Sequence, residues 1–170
     1  MKKVLLLISA LVLAVALTLP IVMPAMAHTE ERPLHKELNA DQTVRVGYVK
    51  VWNDNENLYV QFWMFPWYYW LLMKTDMHVA TSVDDIPQTG SGNPKVGQFD
   101  YSEEHGSWVL DFTYVIPLGD WDADTQLYIA AHADVYHPCT FREETAWGGC
   151  LGQIPFPGRN WATYFTYTVQ

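Results

Sequence analysis

The chain has 170 residues, of which 10 are Lys or Arg and 19 are Asp or Glu, a formal charge of −9. Such an acidic balance repels phosphate backbones and anionic lipid surfaces, so no nucleic-acid partner is expected. The length suits one domain with its own core, and 2 cysteines are too few for a disulfide-built scaffold.

Residues 1–27 read as a secretory signal peptide. Lys2 and Lys3 form a positive start, Val4–Leu19 an apolar stretch, and Ala25-Met26-Ala27 a small-x-small cleavage site. The alternative is an uncleaved anchor, since Val4–Ala27 is nearly long enough to span a bilayer. Pro20, Pro24 and the cleavage site favour removal, which implies a secreted or cell-surface protein. Membrane contact is expected only through this segment, if it stays on the chain.

His28–Gln42 is polar, mixed in charge and aperiodic, so it reads as an arm or linker. Period-two patterns then dominate residues 43–170. Thr43–Trp52 predicts a strand, Asn53–Asn57 a polar turn, and Leu58–Met64 a returning strand with Leu58, Val60, Phe62 and Met64 on one face. A third strand is expected over Trp70–Thr81. Its odd positions Leu71, Met73, Met77 and Val79 are apolar, whereas the even ones include Lys74, Asp76 and His78. Asp84–Gly97, rich in Pro, Gly, Asn and Asp, reads as a long loop. Ser107–Ile116, Leu127–Tyr136 and Asn160–Val169 supply further strands, the last two separated by a Gly/Pro-rich cysteine loop. No 3.6-residue period is sustained. The pattern reads as an antiparallel sandwich or barrel, and the expected fold is an all-β antiparallel sandwich of six to eight strands, Ig-like or jelly-roll-like.

Phe62–Met73 holds Phe62, Trp63, Phe65, Trp67, Tyr68, Tyr69 and Trp70. The run is too short to cross a bilayer as a helix, and Pro66 marks a bend or an edge. Neighbouring strand residues face opposite ways, so some rings of Trp67, Tyr68, Tyr69 and Trp70 should be exposed. The quartet either covers an open end of the sandwich or forms a platform for a sugar, a protein partner or a membrane surface.

Asp76-Met77-His78 and His132-Ala133-Asp134 each place a carboxylate and an imidazole on one strand face. If the two strands are neighbours, the four groups converge as ligands for a divalent ion such as Zn²⁺ or Ca²⁺; otherwise they are ordinary solvated polar faces. Asp120, Asp122 and Asp124 begin like a calcium loop, but the Gly at position six and the Glu at position twelve are missing. Glu103, Glu104 and His105 are read as loop residues. No serine lies in a G-x-S-x-G elbow, and phosphate-loop and dinucleotide motifs are absent. Cys139 and Cys150, with ten residues between them in an exported chain, are expected to form one disulfide.

The stretches "VWNDNENLYV", "HVATSVDDIPQTGSGNPKVGQFDYSEEH", "YVIPL", "LYIAAHA" and "ETAWGG…NWATYFTYTV" resemble a family of exported archaeal and bacterial cell-surface β domains without an established activity. The resemblance covers about Thr43–Gln170 and implies a surface location more than a function. Family members are more polar where this chain has Phe65–Lys74, and carry His-x-His where it has Asp76-x-His78. With the resemblance, Glu144 of "ETAWG" joins the candidate ligands. The expectation is therefore a non-enzymatic surface module that binds a cell-surface protein or carbohydrate through the aromatic patch, with a divalent ion as its candidate cofactor. A surface or filament subunit joined through sheet edges and a metal-dependent hydrolase are the alternatives.

Overall fold

A computed structural model describes residues 27–150 and 154–170, excepting the side chain of Cys150. The expected leader, Ala27 apart, lies outside the described residues. Ten strands follow in chain order: β1 (Leu34–Ala40), β2 (Val44–Asn53), β3 (Asn57–Met64), β4 (Leu71–Ala80), β5 (Tyr101–Val109), β6 (Asp111–Pro117), β7 (Gln126–His137), β8 (Arg142–Cys150), β9 (Ile154–Pro155) and β10 (Thr163–Thr168). Their hydrogen-bonded order is β5-β4-β7-β8-β1-β2-β3-β6, with β10 paired to the first part of β7 and β9 paired to β10.

The outermost strands of that order, β5 and β6, are consecutive in the chain and separated only by Leu110. The sheet therefore rolls until its ends approach, giving a nearly closed barrel. Just before the joint, Trp108 has a positive φ of 70°, a conformation that suits a sharp change of direction. Rings meet across the seam, Tyr101 with Tyr114 at 5.8 Å and His105 with Phe112 at 4.7 Å between centroids.

The all-β antiparallel architecture follows from the alternation. Leu58, Val60, Phe62 and Met64 are all fully buried, as their spacing predicts, and face Val49, Val51, Ile129, Leu127 and Phe165 in one core. Each such side chain contributes roughly 1.5–3 kcal/mol by leaving water. The expected turn holds as well. Asp54 accepts hydrogen bonds from the amides of Glu56 (2.8 Å) and Asn57 (2.7 Å), which fixes the β2–β3 hairpin.

Several expectations are corrected. One rolled sheet takes the place of two separate stacked ones, and it has more strands than the six to eight predicted. The supposed polar arm contains β1, which sits between β8 and β2 with Leu38 and Ala40 fully buried. Its period was masked because Lys36 occupies a position whose partner, Val49, is in the core; the ammonium lies 5.9 Å over the Phe165 ring. The cysteine loop is largely β8. Its inward positions, Ala146 and Gly148, are small because the interior is already full: a Cβ on Gly148 would lie 2.8 Å from Val49 Cγ2.

Residues 101–106, and with them Glu103, Glu104 and His105, belong to β5 rather than to a loop. In β4 a bulge between Leu72 and Lys74 shifts the parity. Leu72 thereby joins Met77 and Val79 in the core, while Met73, expected inside, is exposed. The even face of β4 is not simply wetted either. The 81–100 loop carries Ile86 and Phe99 onto Ala80, Ala130, Trp147, Phe156, Ala162 and Tyr164, forming a second apolar cluster.

Candidate functional site

The aromatic surface begins where β3 ends. Met64 and Phe65 make the last backbone bonds, to Leu110 O (2.7 Å) and Val46 O (2.9 Å). Pro66 then has no amide to donate. Pro66–Tyr68 form a 3-10 turn and Tyr69 takes the left-handed conformation, φ 58°, returning the chain to β4. Three rings of the expected quartet stay outside: Trp67 is 60%, Tyr68 47% and Tyr69 59% exposed. Trp70 departs from the expectation. It is only 6% exposed and belongs to the core, edge-on to the His137 ring at 5.1 Å.

The exposed rings are the outer end of a larger network that the sequence reading missed. Phe65, almost buried, stacks on Trp67 at 5.2 Å with planes 13° apart and meets Tyr68 edge-on at 5.6 Å. Behind it Tyr48 and Trp63 form a parallel cross-strand pair at 6.3 Å, each also edge-on to Phe65. Arg45 lies 5.6 Å over Phe65 and Lys50 4.4 Å over Trp63, arrangements that attract a cation to the negative ring face. The signal was present. Tyr48, Lys50 and Trp52 alternate with buried Val49 and Val51, and Tyr59, Gln61 and Trp63 alternate with Val60 and Phe62, so both strands carry their rings on the outward face.

The second constellation lies on the outer face of β4 and β7, which do pair. Asp76 stands opposite His132, and His78 opposite Ala130. Asp76 is 1% exposed. Its Oδ1 accepts from Ser102 Oγ (2.7 Å) and is 2.8 Å from Lys74 Nζ, while Oδ2 faces His132 Nδ1 at 3.4 Å. Burial alone pushes this carboxyl's pKa up. The contacts with His132, Lys74 and Ser102 outweigh it and bring the group down to about 2. Asp76 is thus a buried, charged hub.

Of the other expected ligands, Asp134 Oδ1 lies 3.8 Å from the far nitrogen of His132, Nε2. His78 Nδ1 faces Asp100 at 3.3 Å, with its ring against Phe99. Glu144 is engaged by Arg142. Asp76 Oδ2 and His132 Nδ1 are buried without a hydrogen bond, so these two atoms fit a shared proton or the first two ligands of an ion. Among the described residues no three His, Cys, Asp or Glu side chains gather as a metal site, and the Lys74 ammonium already supplies Asp76 with positive charge.

The expected disulfide is corrected by topology. Cys139 sits in the turn after β7 and is a free, exposed thiol, whereas Cys150 ends β8 opposite Glu37. Arg142–Cys150 alone runs roughly 26 Å at the usual strand rise, far beyond the ~7 Å Cα limit for a bridge. The ten-residue spacing, read as a short loop, is a nearly straight strand. Asp120, Asp122 and Asp124 lie exposed between β6 and β7.

No family model, curated protein or solved structure matches this chain.

Proposed function

We propose that this domain is an exported binding module of the cell surface or its surroundings, without catalytic activity, and that its partner docks on the aromatic surface around Trp67, Tyr68 and Tyr69. The observation that carries this reading is the exposure of three consecutive rings on a turn braced from beneath by Phe65. Contiguous exposed aromatics of this kind mark interaction sites, and large rings with few torsions lose little entropy on binding. A cell-surface protein or a surface carbohydrate fits that chemistry.

Co-sedimentation of the purified protein with envelopes of its source cells tests it. Trp67→Ala with Tyr69→Ala should reduce saturable binding at least tenfold while leaving Tm unchanged, because neither side chain is in the core. Undiminished binding would remove the aromatic turn from the reading.

A divalent ion forms a second, smaller reading, favoured by the two unbonded atoms that face each other at 3.4 Å. Elemental analysis of the purified protein and of His132→Ala decides it: metal present in the first and absent from the second supports the ion, and metal-free protein rejects it.

A further inference from the structure

At the other end of the same outward face lies a cleft of about 740 Å³, lined among others by Trp52, Tyr59, Lys50, Gln61, Asp54 and Thr113. Its volume falls in the range of sites for small ligands. The floor is a cross-strand pair: Trp52 on β2 and Tyr59 on β3 are register partners whose rings stack at 5.2 Å with planes 6° apart. The next pair along the same two strands is Lys50 with Gln61, and Thr113 continues that row onto β6. Glu30 and Pro33 close the side of β1.

The site is held in shape before any ligand arrives. Tyr59 donates its hydroxyl to Asp54 Oδ2 at 2.8 Å, and the other oxygen of that carboxylate caps the hairpin amides of Glu56 and Asn57. These three bonds also hold Asp54 below the usual carboxylate range, so at neutral pH it is an acceptor on the rim. Lys50 is steadied by the Trp63 ring 4.4 Å away. A wall whose groups are already fixed loses less entropy on binding.

We propose that this cleft is a saccharide-binding site, separate from the Trp67–Tyr69 surface, that takes a neutral sugar unit against Trp52 and Tyr59. Sugar rings present flat C–H faces that pack on aromatic rings, and hydroxyls that both donate and accept. The cleft answers both needs, with an ammonium as donor, carboxylates as acceptors and the amides of Asn55 and Gln61 able to serve as either. Charge narrows the choice. Lys50 against Glu30 and Asp54 gives a mixed lining within an acidic chain, which favours an uncharged ligand over a nucleotide or an anionic lipid.

The test is titration calorimetry with intrinsic tryptophan fluorescence on the purified protein, using soluble neutral oligosaccharides built from glucose, mannose, galactose or N-acetylglucosamine. At least one series should bind saturably and alter the emission. Trp52→Ala and Gln61→Ala should each weaken it by tenfold or more, and Tyr59→Phe, which keeps the ring, by only a few-fold. Gln61 lies outside the core, so its variant stays informative if Trp52→Ala folds poorly. Trp67→Ala should leave this binding intact while reducing envelope binding, which separates failure of this site from failure of the aromatic turn. Absence of binding to all four series at millimolar concentration would overturn the proposal. So would binding that survives both Trp52→Ala and Gln61→Ala.

Discussion

Asp76 shows how a single residue sets a property of the whole chain. Its pKa in the folded protein is about 2, below the ordinary value of 3.8. A depressed carboxylate pKa stabilises the fold above the unfolded-state value, and that contribution is lost as pH falls from about 4 toward 2. It amounts to about 2 kcal/mol. Denaturant midpoints measured from pH 5 to pH 2 should fall steeply for the native chain and less so for Asp76→Asn. Equal slopes would show that the hub formed with Lys74, Ser102 and His132 does not govern acid stability. Asn53, the last residue of β2, makes a comparable point. It donates through Nδ2 to Asp54 O (2.8 Å) and Gln170 O (3.1 Å), and through Oδ1 it accepts from Tyr167 Oη (2.6 Å) and the Gln170 amide (2.9 Å). Asn53→Ala leaves buried partners unpaired and should cost about 3 kcal/mol in equilibrium unfolding. A loss under 1 kcal/mol would mean that water takes over these bonds.

Among elements, β1 carries the largest correction and the clearest prediction. Because it lies between β8 and β2, removal of residues 28–40 would break the sheet in its middle rather than trim a tail. The shortened chain should lose its cooperative melting transition; a normal transition would restore the arm to the status of a linker. What the sequence disclosed follows from this contrast. Strands β2, β3, β4, β7 and β10 were readable because most of their inward positions are Val, Leu, Ile, Phe, Tyr or Met, although the β4 bulge breaks the alternation and β7 turns Ala131 and Ala133 inward. β1 and β8 were not, because an interior filled from the opposite wall leaves room there for Ala and Gly and for the stem of Lys36. The pairing of Asp76 with His132 was legible from spacing once their strands were taken as neighbours. Their burial was not, since it depends on Ser102 of β5 and Lys74 closing on Asp76 and on the Trp147 ring of β8 packing against His132, cross-strand contacts that period-two reasoning cannot anticipate. The exposed Trp67–Tyr69 turn was legible from Pro66, but the inward swing of Trp70 required the left-handed Tyr69.

For the whole molecule, cohesion comes from one rolled sheet and its filled interior rather than from a covalent staple. With Cys139 free and Cys150 at the far end of its strand, a reductant such as dithiothreitol should leave Tm unchanged, and iodoacetamide should modify Cys139 without denaturant. A reductant-induced drop of several degrees would contradict the strand register at β8. The seam between β5 and β6 has a further consequence. It is fastened by rings and by Thr75, whose Oγ1 lies 2.9 Å from both His105 Nε2 and Tyr114 Oη, and not by a ladder of backbone bonds. Amide protons along this slit should therefore trade with deuterium well before those of β2 or β7. A chain whose two lateral margins are turned toward each other also offers its neighbours little template for end-on stacking, which disfavours fibre growth.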